Sequence, residues 1–435
     1  MRSAQLSLFG EKKTNSKSGT KRVEELLAHD LSFSGEDTSY GLHNLHAFAA
    51  KFPPQLPRLF IEGLTEPGDV VLDPMVGSGT TVTEAVARGR KAVGLDLDPL
   101  AVKVTLAKVR PPSPQELRRA ASRVLSKAHR MTESGEARQL LVGLPLKERQ
   151  FIEYWFSPKN AEKLAALVEA LRDVSNSKLR NFLEVLLSSI IVTKSGGVSL
   201  ARDLAHSRPH KDPTKNPLDV FEAFEAKVRK TCRALEASPT SATEAIVIRG
   251  DARALPLKEN SVDLVVTSPP YANAIDYVRA HKFSLVWFGY KIEWLSKSKR
   301  KYIGTESPSS NKTLIQVRTL RKVLNLIRAK DQRRAKIVGQ YFADMREVLR
   351  EIRRVLKPSR AAIIVVGPST VRGVLVPTHE ILAEIGESVG LKVVDIRRRP
   401  IDRDRRLMPM SRGSKGEGIE ARIREEFVIG FLKEG

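Results

Sequence analysis

A strand that leads through a glycine turn into a helix constrains the fold of this 435-residue chain more than any other segment. The stretch DVVLDPMVGSGTTVTEAVARGRKAVGLDLDP, residues 69–99, has an apolar strand, a turn with two glycines, a helix that ends near Gly89, and a second strand over residues 91–95. A strand–turn–helix–strand unit of this kind builds a parallel sheet that is covered by helices. The unit therefore predicts an α/β protein.

Later segments extend the same sheet. AIVIRGD, VDLVVTSPPY, AAIIVVG and EEFVIGFL have the pattern of strands, and helical patterns separate them, so they predict a Rossmann-like open sheet. A mostly helical stretch interrupts this sheet. We therefore divide the chain into a flexible polar tail, a first part of the sheet domain, a helical insertion and a second part of the sheet domain, at residues 1–22, 23–110, 111–240 and 241–435.

The glycine turn indicates the class of ligand. Gly77 and Gly79 permit a tight turn and the close approach of a ligand, but no Gly-Lys-Ser/Thr follows, so the turn is not a phosphate-binding P-loop. Asp73, at the end of the first strand, can pair with a cation. Asp96, at the end of the second strand, stands where an acidic side chain binds ribose hydroxyls. S-adenosylmethionine matches this set, because it has a ribose and an ammonium group but no phosphate.

A second turn comes after the strand VDLVVT and contains two consecutive prolines. Proline has no amide hydrogen and a fixed φ angle, so Pro269 and Pro270 end the strand and stiffen the turn. The segments DPMVGSGTT and TSPPY together resemble the amino-methyltransferases of DNA. In that family the glycine motif binds S-adenosylmethionine and an (S/N/D)PP(Y/F/W) motif binds the target base. The resemblance implies a methyltransferase sheet whose helical insertion lies between the cofactor motif and the catalytic motif.

The resemblance extends to two further motifs. HAFAAKFPPQLP, residues 46–57, is similar to an additional cofactor motif of the family, although Ala47 and Ala49 stand where prolines are usual. IRGDARALPL is similar to the acidic strand end that contacts the adenine, and Met75 stands where the family usually has Phe. The resemblance implies that the cofactor is bound by Phe52, Asp73, Pro74, Gly77, Ser78, Gly79, Thr80, Asp96, Asp251 and Thr267.

The proline turn suits chemistry at an exocyclic amino group. Such a group is a poor nucleophile because its lone pair is delocalised into the ring, and acceptors for its N–H groups raise the electron density on nitrogen. The Ser268 side chain and the Pro269 carbonyl can accept these hydrogen bonds from a rigid turn. Tyr271 offers a stacking face to a base that has left the duplex. The implied catalytic residues are Ser268, Pro269, Pro270 and Tyr271.

The target atom is predicted from the residue that precedes the prolines. In this family Ser favours N4 of cytosine and Asp favours N6 of adenine, which remains the alternative. Methylation at carbon 5 of cytosine needs a nucleophilic Cys beside Pro, and Cys232 has no such neighbour. Methylation of RNA and a non-catalytic DNA-binding accessory role are also left open. No nuclease motif is apparent, so a restriction–modification pair would need another protein.

The charge of the chain favours a nucleic-acid partner. There are 74 Lys and Arg against 50 Asp and Glu, a formal net charge of +24, and residues 291–340 hold 14 Lys and Arg against 3 Asp and Glu. Either this basic segment or the insertion could read the DNA sequence. The residues expected to contact DNA are Arg202, Arg208, Arg279, Lys282, Lys299, Arg300 and Lys301. His281 could act as a general base, or it could be a packing or phosphate-contacting residue.

The polar tail carries one apolar island, QLSLF. This segment resembles the short peptide by which bacterial proteins bind the replication sliding clamp, and the resemblance assigns clamp contacts to Gln5, Leu6, Leu8 and Phe9. The single cysteine excludes an intramolecular disulfide and a multi-cysteine zinc site, and the sequence has no convincing metal-ligand pattern. The chain has no apolar run of membrane-spanning length and no signal peptide, so a cytoplasmic location is expected.

Overall fold

The structure is a computed structural model. It describes residues 19–48, 51–193, 196–204, 209–237, 243–272, 277–306, 317–402 and 423–435. The predicted clamp-binding segment and the DNA contact expected at Arg208 lie outside these residues. In the part of the chain that is described, no helix is both long enough and apolar enough to cross a membrane.

Eleven strands are found in the described residues. Seven of them form one sheet, whose strand order explains where the site lies, and the other four form two small two-stranded sheets. The strands are β1 (Val70–Asp73), β2 (Lys91–Asp96), β3 (Ala201–Arg202), β4 (His210–Lys211), β5 (Ala245–Arg249), β6 (Val262–Thr267), β7 (Leu356–Val366), β8 (Ser369–Val371), β9 (Val374–Val376), β10 (Lys392–Pro400) and β11 (Glu425–Leu432). The sheet order is β10-β11-β7-β6-β1-β2-β5. From β1 the chain first adds β2 and β5 on one side, and it then adds β6 and β7 on the other side. The order therefore reverses between β1 and β6, and a crevice opens at the carboxyl ends of these two strands.

The direction of the strands is parallel except at one position. β5, β2, β1, β6 and β7 pair in parallel, whereas β11 pairs antiparallel with β7 on one side and with β10 on the other. The central strands are buried along almost their whole length, as expected for a sheet with helices on both faces. The predicted Rossmann-like α/β sheet is confirmed.

The helices cover the sheet and build the insertion. They are α1 (Gly19–Leu27), α2 (Gln55–Leu64), α3 (Thr80–Ala87), α4 (Pro99–Val109), α5 (Pro114–Glu133), α6 (Glu136–Val142), α7 (Leu146–Trp155), α8 (Pro158–Arg172), α9 (Ser177–Ile191), α10 (Val220–Glu236), α11 (Tyr277–Leu285), α12 (Ile292–Ser298), α13 (Arg318–Arg328), α14 (Gln332–Val355) and α15 (Thr378–Ser388). Apolar side chains of α5 to α10 form one core, which side chains of α4 and α11 complete. The insertion is therefore packed onto the two helices that flank the crevice.

Strand β10 was not predicted, and its composition explains why. KVVDIRRRP contains three consecutive arginines, a charge density that argues against a strand. The strand lies at the edge of the sheet and pairs only with β11, so most of its arginines reach solvent. Arg399 is the exception, because it is buried and forms an ion pair with Glu426 of β11. The partner that allows this strand lies 27 residues further along the chain.

Candidate active site

The glycine turn joins β1 to α3 and is shaped by close packing. Gly79 is the N-cap residue of α3 and has a φ of 79°, a left-handed conformation that glycine adopts without strain. A Cβ atom at this position would lie 2.7 Å from the Thr105 hydroxyl of α4, so no larger residue fits there. The buried Lys108 ammonium donates a hydrogen bond to the Ser78 carbonyl (2.6 Å). Thr105 and Lys108 of α4 thus pack against the glycine turn and hold its backbone in place.

Two carboxylates stand at the carboxyl ends of the central strands. Asp73 accepts hydrogen bonds from the Thr267 hydroxyl (2.7 Å) and the Met75 amide (3.2 Å), which join the ends of β1 and β6. Asp96 accepts hydrogen bonds from the amides of Gly77 and Asp98, both at 2.9 Å. The first carboxylate therefore connects the two motif-bearing strands, and the second connects the glycine turn to β2.

Both carboxylates carry perturbed pKa values. Burial raises the pKa of Asp73 to about 6. Burial, together with the nearby negative charge of Asp98, raises the pKa of Asp96 to about 7. Negative charge is concentrated here although the protein as a whole is strongly basic. Such an arrangement is stabilised when a ligand supplies positive charge or hydroxyl donors.

These groups line one cleft together with residues from five other segments. The cleft is bordered by Asp73, Gly77, Asp96 and Asp251, and by Ser268 and Pro270 of the proline turn. Of the ten residues predicted to bind the cofactor, the cleft lining includes Phe52, Asp73, Pro74, Gly77, Ser78, Thr80, Asp96 and Asp251. The other two residues support this lining: Gly79 is the N-cap residue of α3, and the Thr267 hydroxyl donates a hydrogen bond to Asp73. The structure therefore brings the predicted cofactor set together.

The set fits S-adenosylmethionine by its chemistry. Carboxylates with raised pKa values are available for an ammonium group and for ribose hydroxyls, and Gly77 and Ser78 of the glycine turn line the cleft beside them. Asp251 is held in place by Arg253, which donates two hydrogen bonds to its carboxylate (2.9 and 2.7 Å) and a third to Asp344 (2.8 Å). The carboxylate at this wall is thus oriented before any ligand binds.

The lining also contains side chains outside the set of ten residues predicted to bind the cofactor. Phe48, Tyr277, Tyr302 and Ile303 contribute apolar surface to the cleft. Phe48 stacks on Tyr277, with ring centroids 5.7 Å apart. Phe48 lies within the predicted cofactor motif of residues 46–57, whereas Tyr302 and Ile303 lie outside every predicted motif, so motif spacing gave no signal for them. An apolar wall of this kind is typical of small-molecule sites.

His281 is a packing residue in this structure. Its ring is buried, and its Nδ1 lies 2.7 Å from the carboxylate of the buried Asp98. The ring also packs against Phe48, with centroids 5.0 Å apart. The sequence left three roles open for this histidine. The geometry favours the role that holds α11 against the start of α4.

The proline turn presents Ser268 to the cofactor cleft but encloses most of Tyr271. The Tyr271 ring is only 6% exposed and packs against Ile423, while its hydroxyl donates a hydrogen bond to Glu426. Glu426 is in turn paired with Arg399. The ring nevertheless borders a second cleft on the far side of the turn. Stacking needs the face of the ring, which is largely enclosed here, so the stacking role of Tyr271 stays a prediction.

Substitution of Gly367 by alanine is expected to disturb the proline turn. An added Cβ would lie 2.7 Å from the Tyr271 ring, which cannot retreat because Ile423 and Glu426 hold it. We expect a destabilisation of about 1–3 kcal/mol, measured by thermal unfolding. Gly143→Ala is the matched control, since its Cβ would have only ordinary contacts at 3.6 Å. Equal effects of the two changes would contradict this account.

The residues predicted to bind DNA lie on three separate elements. Arg202 is in the small β3–β4 hairpin of the insertion and is paired with Asp212. Arg279 and Lys282 lie on α11, the helix after the proline turn. Lys299, Arg300 and Lys301 form a 3-10 turn that directly precedes Tyr302 and Ile303 of the cofactor cleft.

Comparison with known proteins agrees with this geometry. The model of a family described as DNA methylase matches residues 9–107 and 262–397, which together make up more than half of the chain and leave out the region of the insertion. The chain is similar to the type II methyltransferase M.MvaI of Kocuria varians, with 28% identity over 380 residues, 82% of this chain and 83% of that protein. It is also similar to the type II methyltransferase M.BsoBI of Geobacillus stearothermophilus, with 23% identity over 415 residues, 82% of this chain and 79% of that protein.

Proposed function

The chain belongs to the family of S-adenosylmethionine-dependent DNA methylases, and from this premise we propose that it methylates the exocyclic N4 of cytosine in duplex DNA. The observation that carries the choice of cytosine is Ser268, which precedes the two prolines and lines the cofactor cleft. When bound, S-adenosylmethionine supplies an electrophilic methyl group. The residues of the chain then have to hold the cofactor and prepare the amino nitrogen.

Cofactor binding is proposed for the two carboxylates and the glycine turn. We propose that Asp96 accepts hydrogen bonds from the ribose hydroxyls and that Asp73 pairs with the ammonium group, since both side chains line the cleft. Arg253 orients the Asp251 carboxylate at the adenine end of the cleft. The apolar surface of Phe48 and Ile303 excludes water from the ligand. Proximity of the bound reactants then supplies much of the rate advantage.

Activation of the amino nitrogen is proposed for the proline turn. The Ser268 hydroxyl and the Pro269 carbonyl accept hydrogen bonds from its two N–H groups, which returns electron density to nitrogen. The prolines hold both acceptors at the end of β6, and the Thr267–Asp73 hydrogen bond fixes that end against β1. Because the acceptors are already in place, little reorganisation is needed during the reaction. The target base has to leave the duplex to reach this turn.

Mass spectrometry of methylated nucleosides tests the proposal. Purified protein is incubated with S-adenosylmethionine and mixed-sequence duplex DNA, with structured RNA in a parallel reaction. N4-methylcytosine in the DNA digest is the expected product. N6-methyladenine would overturn the choice of base and leave the proposed mechanism in place. Methylated RNA alone would indicate the RNA alternative. Cofactor binding without any methylated base would favour the accessory role.

We propose that the tail recruits the protein to the replication sliding clamp through the QLSLF segment. The proposal rests on the sequence, in which all five positions match the clamp-binding pattern. Deletion of residues 1–10 is expected to abolish capture of the protein by an immobilised bacterial clamp and to leave methylation of naked DNA unchanged. Loss of both properties would contradict a dedicated recruitment role, and so would undiminished capture.

A further inference from the structure

A second cleft opens on the other side of the proline turn, and part of its wall comes from the insertion. It has a volume of about 650 Å³, which is in the range of sites that hold a small organic molecule. Phe48, Lys51 and Phe52 line both this cleft and the cofactor cleft, so the two are neighbours. Tyr271 borders the second cleft from the turn, and Lys227 of α10 borders it from the insertion.

Three basic side chains line this cleft, and two of them have oxygen partners. Arg399 forms an ion pair with Glu426 and donates a hydrogen bond to the Leu31 carbonyl. Lys51 donates hydrogen bonds to the carbonyl oxygen of His43 and the side chain of Asn44, both at 2.9 Å. Lys227 has neither a hydrogen bond nor an ion pair with any residue that the structure describes.

Three carboxylates, of Glu36, Asp37 and Glu426, also line this cleft, but none of them pairs with Lys227: Glu426 is paired with Arg399, and Asp37 accepts a hydrogen bond from the Ser39 amide. His46, also in the cleft lining, is buried, with Nε2 2.8 Å from the Ser188 hydroxyl and Nδ1 2.8 Å from the Ala47 carbonyl. Burial lowers the pKa of His46 to about 3, so the ring is neutral. Burial, followed by repulsion from Lys230, lowers the pKa of Lys227 to about 8, which leaves the ammonium mostly protonated at pH 7. An ammonium held in this way is costly in the free protein and is stabilised by an incoming anion.

We propose that Lys227 binds the phosphate next to the target nucleotide once that nucleotide has left the duplex. The inference rests on the proposed function, because a base that reaches the proline turn brings its flanking phosphates into the adjacent cleft. Every DNA substrate presents this anion whatever its sequence, and a lysine ammonium is a suitable point-charge partner for it. In this arrangement the insertion helps to hold the extruded nucleotide.

Substitutions on α10 give the first test. Lys227→Met is expected to raise the KM for DNA about 10-fold and to reduce the salt dependence of DNA binding by about one counterion, while the affinity for S-adenosylmethionine stays within two-fold. Lys227→Arg keeps the charge and is expected to retain most of the affinity for DNA. Lys230→Met removes the same charge from an exposed position one turn further along α10 and is the matched control. Equal effects of Lys227→Met and Lys230→Met would overturn the inference.

Replacement of a single DNA phosphate by an uncharged methylphosphonate then tests which phosphate Lys227 contacts. DNA duplexes carry one methylphosphonate on the 5′ or the 3′ side of the target nucleotide, and turnover is measured with the wild-type protein and with Lys227→Met. For one of the two linkages we expect a loss of about 10-fold in the wild-type protein and no further loss in the variant. Equal losses in both proteins would show that Lys227 does not contact that phosphate. Failure of the wild-type protein to methylate unmodified DNA would refute the proposed function itself and is recognised before any variant is compared.

Discussion

Replacement of Asp96 by asparagine is expected to weaken the binding of S-adenosylmethionine about 100-fold at pH 7.5. The carboxylate lines the cofactor cleft and is the proposed acceptor for the ribose hydroxyls. A hydrogen bond to a charged acceptor contributes about 1.5–3 kcal/mol, and two such bonds correspond to at least a 100-fold change in affinity. Isothermal titration with the purified variant measures the change. Asp173→Asn, at an exposed carboxylate paired with Lys127, is the control and should bind the cofactor normally.

The raised pKa of Asp96 gives this prediction a second signature. The folded-state pKa is about 7, above the ordinary value of about 3.9, so ionisation of Asp96 disfavours the folded state. Its contribution to the stability of the ligand-free protein is therefore full below about pH 4 and is lost as the pH rises through about 7. The wild-type protein should lose more stability than Asp96→Asn between pH 5 and 7.5.

Cofactor binding should show the opposite trend with pH. Between pH 6 and 7.5 the Asp96 carboxyl becomes ionised and a better acceptor, so the affinity of the wild-type protein for S-adenosylmethionine should increase. The variant lacks this group, and its affinity should change less over the same range. Parallel pH profiles for the two proteins would contradict the assignment of Asp96 to the ribose, even if the variant bound the cofactor weakly.

Replacement of Ser268 by alanine is expected to lower kcat about 100-fold and to leave the affinity for S-adenosylmethionine unchanged. The hydroxyl is one of the two acceptors proposed for the target amino group, and loss of one preorganised hydrogen-bonding group at a reacting centre costs about 10²–10³ in rate. Single-turnover methylation of DNA separates this effect from binding. Because the backbone of the turn is fixed by its prolines, the change should leave thermal stability nearly the same.

The control for this change lies at the other end of the same strand. Ser261 immediately precedes β6, and its hydroxyl donates a hydrogen bond to the Lys258 carbonyl, at the edge of the sheet opposite the cleft. Ser261→Ala removes the same hydroxyl from the residue before β6, leaves the proline turn intact and should retain full kcat. A Ser268→Ala protein that keeps kcat within about three-fold would show that the hydroxyl is not needed, and the Pro269 carbonyl would remain as the acceptor.

Motifs at strand ends were the part of the site that sequence could predict. Asp73, Asp96 and Ser268 each stand at the end of an apolar strand, and the carboxyl ends of parallel strands meet at one edge of the sheet. Their convergence therefore results from the pattern alone. The same reasoning predicted the helical insertion, because α5 to α10 have local apolar periodicity that does not depend on distant partners.

Features that depend on distant partners could not be predicted. The burial of Tyr271 is caused by Gly367 and Glu426, which come about 100 and 155 residues later in the chain. Lys227 gave no signal, since one lysine on an amphipathic helix is ordinarily a solvent-exposed residue. Its position at the second cleft is a consequence of how the insertion docks on α4 and α11. These positions result from packing between distant segments, and such packing produces no motif or residue spacing in the sequence.

The way the insertion joins the sheet has an evolutionary consequence. The chain leaves the sheet domain after α4 and returns at β5, and the Arg110 side chain donates a hydrogen bond to the Ala245 carbonyl, so the two junctions lie side by side. A segment whose ends meet in this way can lengthen, shorten or be replaced as a unit without changing the order of the strands. Selection can then alter the helical insertion while the glycine turn and the proline turn stay the same. Variation in the insertion and an unchanged cofactor cleft are thus compatible within one chain.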